Sequence, residues 1–159
     1  MTDTSNEQEK IVFKYHSNLL DELTVETMWA QKIDPANGIY KLDSIPFYGP
    51  VIATDDEFFA EFDEQEQRLT FRRTTKHSGN SIVQVIMMTD EMDKQVIRDE
   101  LKKLNCLSEG LNEKFFSVEI LKSTDYKTIT LLLDKYEQQS ILEYAEPCLS
   151  EKHQNDITK

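Results

Sequence analysis

The spacing of apolar residues changes character once along this chain, at the turn-forming Ser78-Gly79-Asn80, and few architectures accommodate both halves. Ahead of that point short runs alternate apolar and polar side chains, as half-buried strands do. Beyond it, two segments with apolar residues at helical spacing lie between shorter apolar runs. The chain has 159 residues, enough for one medium domain or for two small subdomains sharing a core. The expected fold class is α+β: a β-rich subdomain over residues 9–77, forming a bent antiparallel sheet or half-barrel, then a βαβαβ ferredoxin-like α/β sandwich over residues 78–148. The polar ends, 1–8 and 150–159, are expected to be disordered.

Two hairpins are predicted in the first half. Residues 10–16 and 23–30 are rich in β-formers and flank the turn-like Ser17-Asn18 and Asp21-Glu22. Asp34-Pro35-Ala36-Asn37-Gly38 predicts a turn, because proline fixes φ and Asn-Gly accepts positive φ; a short strand over 39–42 follows, and the chain bends over 45–50. The second hairpin pairs 58–62 with 68–74 across the polar turn 63–67, placing Phe58, Ala60 and Phe62 on one face with Leu69 and Phe71 opposite them.

In the second half, 81–88 reads as a largely apolar strand, after which Thr89 or Asp90 caps a helix with Met92, Val96, Ile97, Leu101 and Leu104 at its apolar positions. A strand over 115–121 leads to a second helix opened by Thr124 or Asp125, with Tyr126, Ile129, Leu132, Leu133 and Tyr136 on its buried side. The last strand is placed at 141–145.

Charge narrows the partner classes. A net charge of −12 repels phosphate backbones and anionic lipid surfaces, which argues against general nucleic-acid or membrane binding and makes a basic protein the natural complement. Cys106 and Cys148 are far apart and outside any C-x-x-C pattern, so they read as buried thiols in a reducing compartment. The polar, acidic residues 1–9 do not resemble a secretory signal, no run approaches the length of a membrane helix, and a cytoplasmic location is expected.

Within that acidic background, residues 55–66 hold seven carboxylates, no basic residue and three phenylalanines in a strand-like block. Charged strand edges often only discourage aggregation. A docking surface for a basic partner is the functional alternative, carried by Asp55, Asp56, Glu57, Glu61, Asp63, Glu64 and Glu66, with Phe59 or Tyr48 as an anchor. An EF-hand would need ligands at alternate positions and a central glycine, whereas Phe58 and Phe59 follow the first three carboxylates, so no metal is expected there.

A catalytic reading finds little support. His16, His77 and His153 do not cluster, and no nucleophile elbow, zincin, P-loop or dinucleotide motif is present, so neither catalytic residues nor a cofactor are expected. Arg72, Arg73, Lys76 and His77 form a local basic cluster that could contact phosphate. Their proximity to the acidic block in the predicted hairpin favours cross-strand ion pairs instead. Trp29, Tyr40, Phe47 and Tyr48 read as core aromatics of the bent sheet, although such residues also line small-ligand grooves.

The stretches Glu26-Thr27-Met28-Trp29-Ala30 and Gly38-Ile39-Tyr40-Lys41-Leu42-Asp43-Ser44-Ile45-Pro46-Phe47-Tyr48 resemble the signature of an uncharacterised bacterial family, domain-of-unknown-function family 4265. The run Leu69-Thr70-Phe71-Arg72-Arg73, with Ser78, Gly79 and Ser81, resembles it too. The resemblance spans residues 11–148 and implies a bacterial cytoplasmic protein without implying a reaction.

The leading expectation is a non-enzymatic binding protein, an immunity or antitoxin-type inhibitor of a basic toxin such as a nuclease, acting through the acidic block. The alternative is a regulatory module that binds RNA or a small anionic ligand through the bent sheet, using Trp29, Tyr40, Asp43, Arg72, Arg73, Lys76 and His77. An enzyme using Asp43 or His77 near Trp29 ranks last, because no partner residue for either is identifiable.

Overall fold

The computed structural model describes residues 7–17, 21–48 and 51–158, and the chain divides into two compact units, Met1–Ser78 and Gly79–Lys159. Asn18 of the expected first turn, Gly49 and Pro50 of the bend, and most of the N-terminal end lie outside the described residues. The fold is mixed α+β, with one five-stranded and one four-stranded sheet and three α-helices among the described residues.

In the first unit, strands β1 (Gln8–Ser17), β2 (Glu22–Asp34), β3 (Ile39–Leu42), β4 (Glu57–Asp63) and β5 (Arg68–Lys76) follow one another as antiparallel neighbours. The expected open or half-closed sheet is a closed barrel. Val12 of β1 pairs in parallel with Thr70 of β5, which joins the first strand to the last and removes the exposed edges. Alternate side chains of each strand fill the interior: Ile11, Phe13, Met28, Ala30, Tyr40, Leu42, Phe58 and Ala60 are buried there with Ile52. Phe13 stacks on Phe71 at 5.0 Å and meets Phe58 edge-on at 5.3 Å, and each such ring contributes about 1.5–3 kcal/mol on burial. The predicted turn is a single 3-10 turn at Pro35–Asn37, ended by Gly38 at φ +75°.

Phe62 departs from the expected pattern. Two register shifts in the β4–β5 pairing precede it, and its side chain is 58% exposed although Phe58 and Ala60 are buried. The strand's inward alternation ends before the hairpin tip.

The second unit begins with β6 (Ser81–Met87), followed by α1 (Lys94–Lys103), β7 (Ser108–Gly110), β8 (Phe115–Ile120), α2 (Tyr126–Gln138), β9 (Leu142–Cys148) and α3 (Glu151–Thr158). Its sheet runs β7-β8-β6-β9 with antiparallel neighbours throughout. Val83, Val85 and Met87 of β6 and Phe116, Val118 and Ile120 of β8 pack with Ile97 and Leu101 of α1 and Ile129 and Leu133 of α2. The cap of α1 is Asp93, which accepts from Gln95 N at 2.8 Å, in place of Thr89 or Asp90, and Val96 is 46% exposed. Asp125 caps α2, accepting from Lys127 N at 3.1 Å.

Two elements depart from the sequence expectations. β7 has no apolar pattern and owes its extended form to pairing with β8. Residues 151–158, expected to be disordered, form α3. Ser150 starts the helix, its carbonyl accepting from Gln154 N at 2.9 Å and its Oγ from His153 N at 3.2 Å. Lys152 and Tyr126 N both donate to Asp156, at 2.7 and 3.0 Å, which ties α3 to the start of α2.

Candidate functional site

The acidic block does not form one continuous surface. Asp55 is exposed at φ +67°, and its N–H donates to Leu42 O at 2.9 Å. Asp56 is buried, at 1% exposure, which removes it from any docking surface. Its Oδ2 accepts from Ala53 N at 3.0 Å and lies 3.4 Å from His77 Nδ1, and its Oδ1 accepts from Ser78 N at 2.8 Å. That carboxylate is an internal staple, holding the approach to β4 against the end of β5.

The remaining carboxylates divide along the β4–β5 hairpin. Glu57 pairs in register with Lys76 and Lys41. Arg72 reaches across to Glu61 and Asp63, both at 3.0 Å, and its charge sits higher than usual in pKa, chiefly because of the bond to Asp63. Asp63 also accepts from Gln65 N at 2.8 Å and from Glu66 N at 3.0 Å; the Glu66 N–H and the Arg72 guanidinium hold its carboxyl below the usual range. Glu66 pairs with Lys14 at 3.3 Å, while Glu64 is exposed at the tip. The cross-strand ion pairs expected from sequence are therefore present for Arg72, and Arg73 instead lies over the Phe59 ring at 4.5 Å. Exposed Phe62, placed on sequence on one face with Phe58 and Ala60, lies on the opposite side of β4 from Glu61 and Asp63.

The residues proposed for an alternative ligand site are dispersed. Tyr40 is buried in the barrel, and burial raises its pKa. Trp29 is 46% exposed on β2 with Lys10 Nζ 5.1 Å from its ring centre. Asp43 accepts from Gln8 Nε2 at 2.6 Å. Tyr48 and Phe47 donate their backbone N–H groups to Glu26, at 3.4 and 2.8 Å, and Glu26 also accepts from Tyr15 OH at 2.7 Å. Glu26 thus organises the segment before residue 49, a role its isolated place in the sequence did not signal. Open clefts of about 390 and 170 Å³ are lined by residues 87–114, and none of the residues proposed from sequence borders them.

His153, placed on sequence in a disordered tail, is fully buried. Its Nε2 lies 3.0 Å from Leu121 O, which can only accept, so that nitrogen carries the proton and Nδ1 accepts from Ser81 Oγ at 2.6 Å. Ser81 Oγ in turn accepts from Ser150 N at 2.8 Å. Burial lowers the His153 pKa, and both ring nitrogens are engaged. Cys106 and Cys148 are buried and not joined in a disulfide, and burial pushes the Cys106 thiol up to about 11. No described helix is long and apolar enough to cross a membrane.

With this geometry in place, comparison with known sequences is decisive on family. Residues 26–144 match the family described as "Domain of unknown function (DUF4265)". The chain belongs to the DUF4265 family. No curated protein matches it. Among solved structures, this DUF4265 chain is similar to one titled "Novel crystal structure of a hypothetical protein from Neisseria gonorrhoeae", with a TM-score of 0.76 and 22% identity over 90% of this chain and 96% of that one. That likeness is one of fold.

Proposed function

We propose that this DUF4265 protein is a non-enzymatic, acidic protein-binding protein, an immunity or antitoxin-type inhibitor whose β4–β5 hairpin covers a basic surface on a toxin such as a nuclease. The observation that carries the reading is Phe62, an aromatic ring 58% exposed on the acidic hairpin arm, two residues before exposed Glu64 at its tip. From Asp55 to Lys76 seven carboxylates face four basic side chains, so the segment stays acidic after its internal pairing. An exposed ring on a hairpin of net negative charge is a combination that can steer a basic partner and then anchor it. Phe62 replaces Phe59 or Tyr48 as the anchor, and Asp56 leaves the list of contacting groups.

Two finer readings accompany this one. The βαββαβ succession from β6 to β9 and its sheet order support a ferredoxin-type sandwich for the second unit. Two buried cysteines outside any disulfide are in keeping with a cytoplasmic setting. Binding of RNA or a small anion by Arg72, Arg73, Lys76 and His77 takes second place, because Arg72 and His77 already face carboxylates and Arg73 covers Phe59.

The test is affinity purification of the tagged protein from its own cell at low and moderate salt, followed by mass spectrometry. One stoichiometric basic protein is expected, weakened by at least roughly tenfold in Phe62→Ala and in Glu64→Lys. Retention of the partner by both variants, or recovery of nucleic acid alone, would overturn the reading.

A further inference from the structure

Lys94 and Arg98 stand one turn apart on α1, a spacing at which like charges weaken a helix. A Cβ on Gly110 of β7 would lie 2.6 Å from Lys94 Nζ and 3.2 Å from Arg98 Nη1, so both heads reach the space a side chain there would fill and are no more than about 6 Å apart. Their bonds go to neutral groups. Lys94 donates to Asn112 O, and Arg98 donates through Nε to Ser108 Oγ at 2.8 Å, through Nη2 to Ser108 O at 2.9 Å and through Nη1 to Gln95 Oε1 at 3.4 Å. Asp90, Asp93 and Glu113 border the larger cleft with Lys94, and Asp99 borders the smaller with Arg98, yet among the described residues neither cation forms an ion pair. Strand alternation turns Glu109 to the opposite face of β7 from Ser108 and Gly110. In a chain of 30 acidic and 18 basic residues, these two like charges repel each other without a carboxylate to balance them.

The backbone supplies a third donor. Glu119 N bonds to Leu107 O at 2.8 Å and Leu111 N to Phe115 O at 3.0 Å, so in the antiparallel alternation Ser108 and Gly110 turn their backbone groups away from β8. β7 ends the sheet, and Arg98 takes Ser108 O on its open edge. The Gly110 N–H stands on that same edge, two residues on. Covering an edge carbonyl with an arginine also protects a strand edge. That role accounts for neither the second cation nor the cradle left by the glycine.

We propose that Lys94, Arg98 and the Gly110 N–H form a binding site for a phosphate group, free or carried by a small phosphorylated molecule. Beyond the bonds above, Lys94 keeps two ammonium protons and Arg98 one proton on Nη1. With the fork of Arg98 spent on Ser108, the donors come singly from three groups, which suits the several oxygens of a tetrahedral phosphate better than the two of a planar carboxylate. The clefts bordered by Lys94 and Arg98, about 390 and 170 Å³, give room for the rest of a small molecule. The site lies wholly in the second unit and the acidic hairpin in the first, so the two readings fail separately.

The experiment follows backbone amide shifts of the full chain by NMR, in chloride buffer at constant ionic strength, as inorganic phosphate, phenyl phosphate or acetate is added. A phosphate probe is expected to move the amide at position 110 saturably, and acetate to leave it in place. Affinity should fall at least roughly tenfold in Lys94→Gln, which removes one charge, and in Gly110→Ala, whose methyl displaces the Lys94 head. Only the ends of long side chains crowd that position, so Gly110→Ala is expected to fold, and circular dichroism checks both variants. Tighter binding of phenyl phosphate assigns the site to phosphorylated small molecules, and tighter binding of inorganic phosphate assigns it to the free anion. No saturable shift with either probe up to about 20 mM, shifts that bypass position 110, unchanged affinity in both variants, or equal binding of acetate would each overturn the proposal.

Discussion

Removing the Asp56 carboxylate strands the N–H groups of Ala53 and Ser78 together, next to a buried strand start. Asp56→Ala is therefore expected to lower stability by about 2–4 kcal/mol in urea unfolding, with Asp56→Asn losing less because one oxygen survives. Charge reversal at exposed Glu64 should leave the same midpoint within about 0.5 kcal/mol. Composition treats these carboxylates alike; only the way the chain enters β4 separates a staple from a surface charge. His153 obeys similar logic with protons. Its pKa in the fold lies below the ordinary histidine value of 6.5, so the unfolded chain binds the extra proton first. Stability from this site is complete above that value and is lost as pH falls through and below it. His153→Gln should flatten the decline between pH 7 and 5 in thermal melts, and wild type should lose protection in α3 amide exchange over that window.

At the level of elements, what could be read in advance tracks how much of each segment faces a core. The strands of both hairpins and the helices α1 and α2 carry apolar residues at their own period, because one side of each is buried. β7 and α3 lack that period: Ser-Glu-Gly becomes a strand through its neighbour, and α3 buries a histidine where a hydrophobe would have signalled a helix. The turn at residues 34–38 was legible because its chemistry is local. A Cβ at Gly38 would lie 2.6 Å from Phe59 Cε2 and 2.8 Å from Ala60 O, at φ +75°. Gly38→Ala is expected to cost about 1–3 kcal/mol by chemical denaturation, combining left-handed strain with a clash against β4. Barrel closure was not legible, since the single Val12–Thr70 pairing joins segments far apart in sequence.

Across the whole molecule, the balance of charge sets the response to solvent. With a net charge of −12 the compact state repels itself, whereas the ion pairs among the described residues are mostly exposed and individually weak. Raising sodium chloride from about 0.02 to about 0.2 M should therefore raise Tm in calorimetry, because screening relieves more repulsion than it removes attraction. A fall in Tm over that range would show that the Arg72 and Lys14 pairs dominate instead. The candidate site follows the same division: its acidic sign could be read from composition, but the exposure of Phe62, the proposed anchor, could not, because it depends on where the barrel's inward alternation stops.

Tyr15, Tyr126, Tyr136 and Tyr144 each donate their hydroxyl to a carboxylate, of Glu26, Glu146, Glu100 and Asp134 respectively. All four phenols are harder to ionise than usual; the bond to Glu100 comes first for Tyr136, pushed up to about 12, and burial comes first for the others. The folded protein therefore carries its own optical alarm. Near pH 11 these four of the six tyrosines stay largely un-ionised while the structure holds, and their share of the tyrosinate band at 295 nm appears only as the chain lets go of its carboxylates, so that increment in absorbance would time unfolding without any added dye.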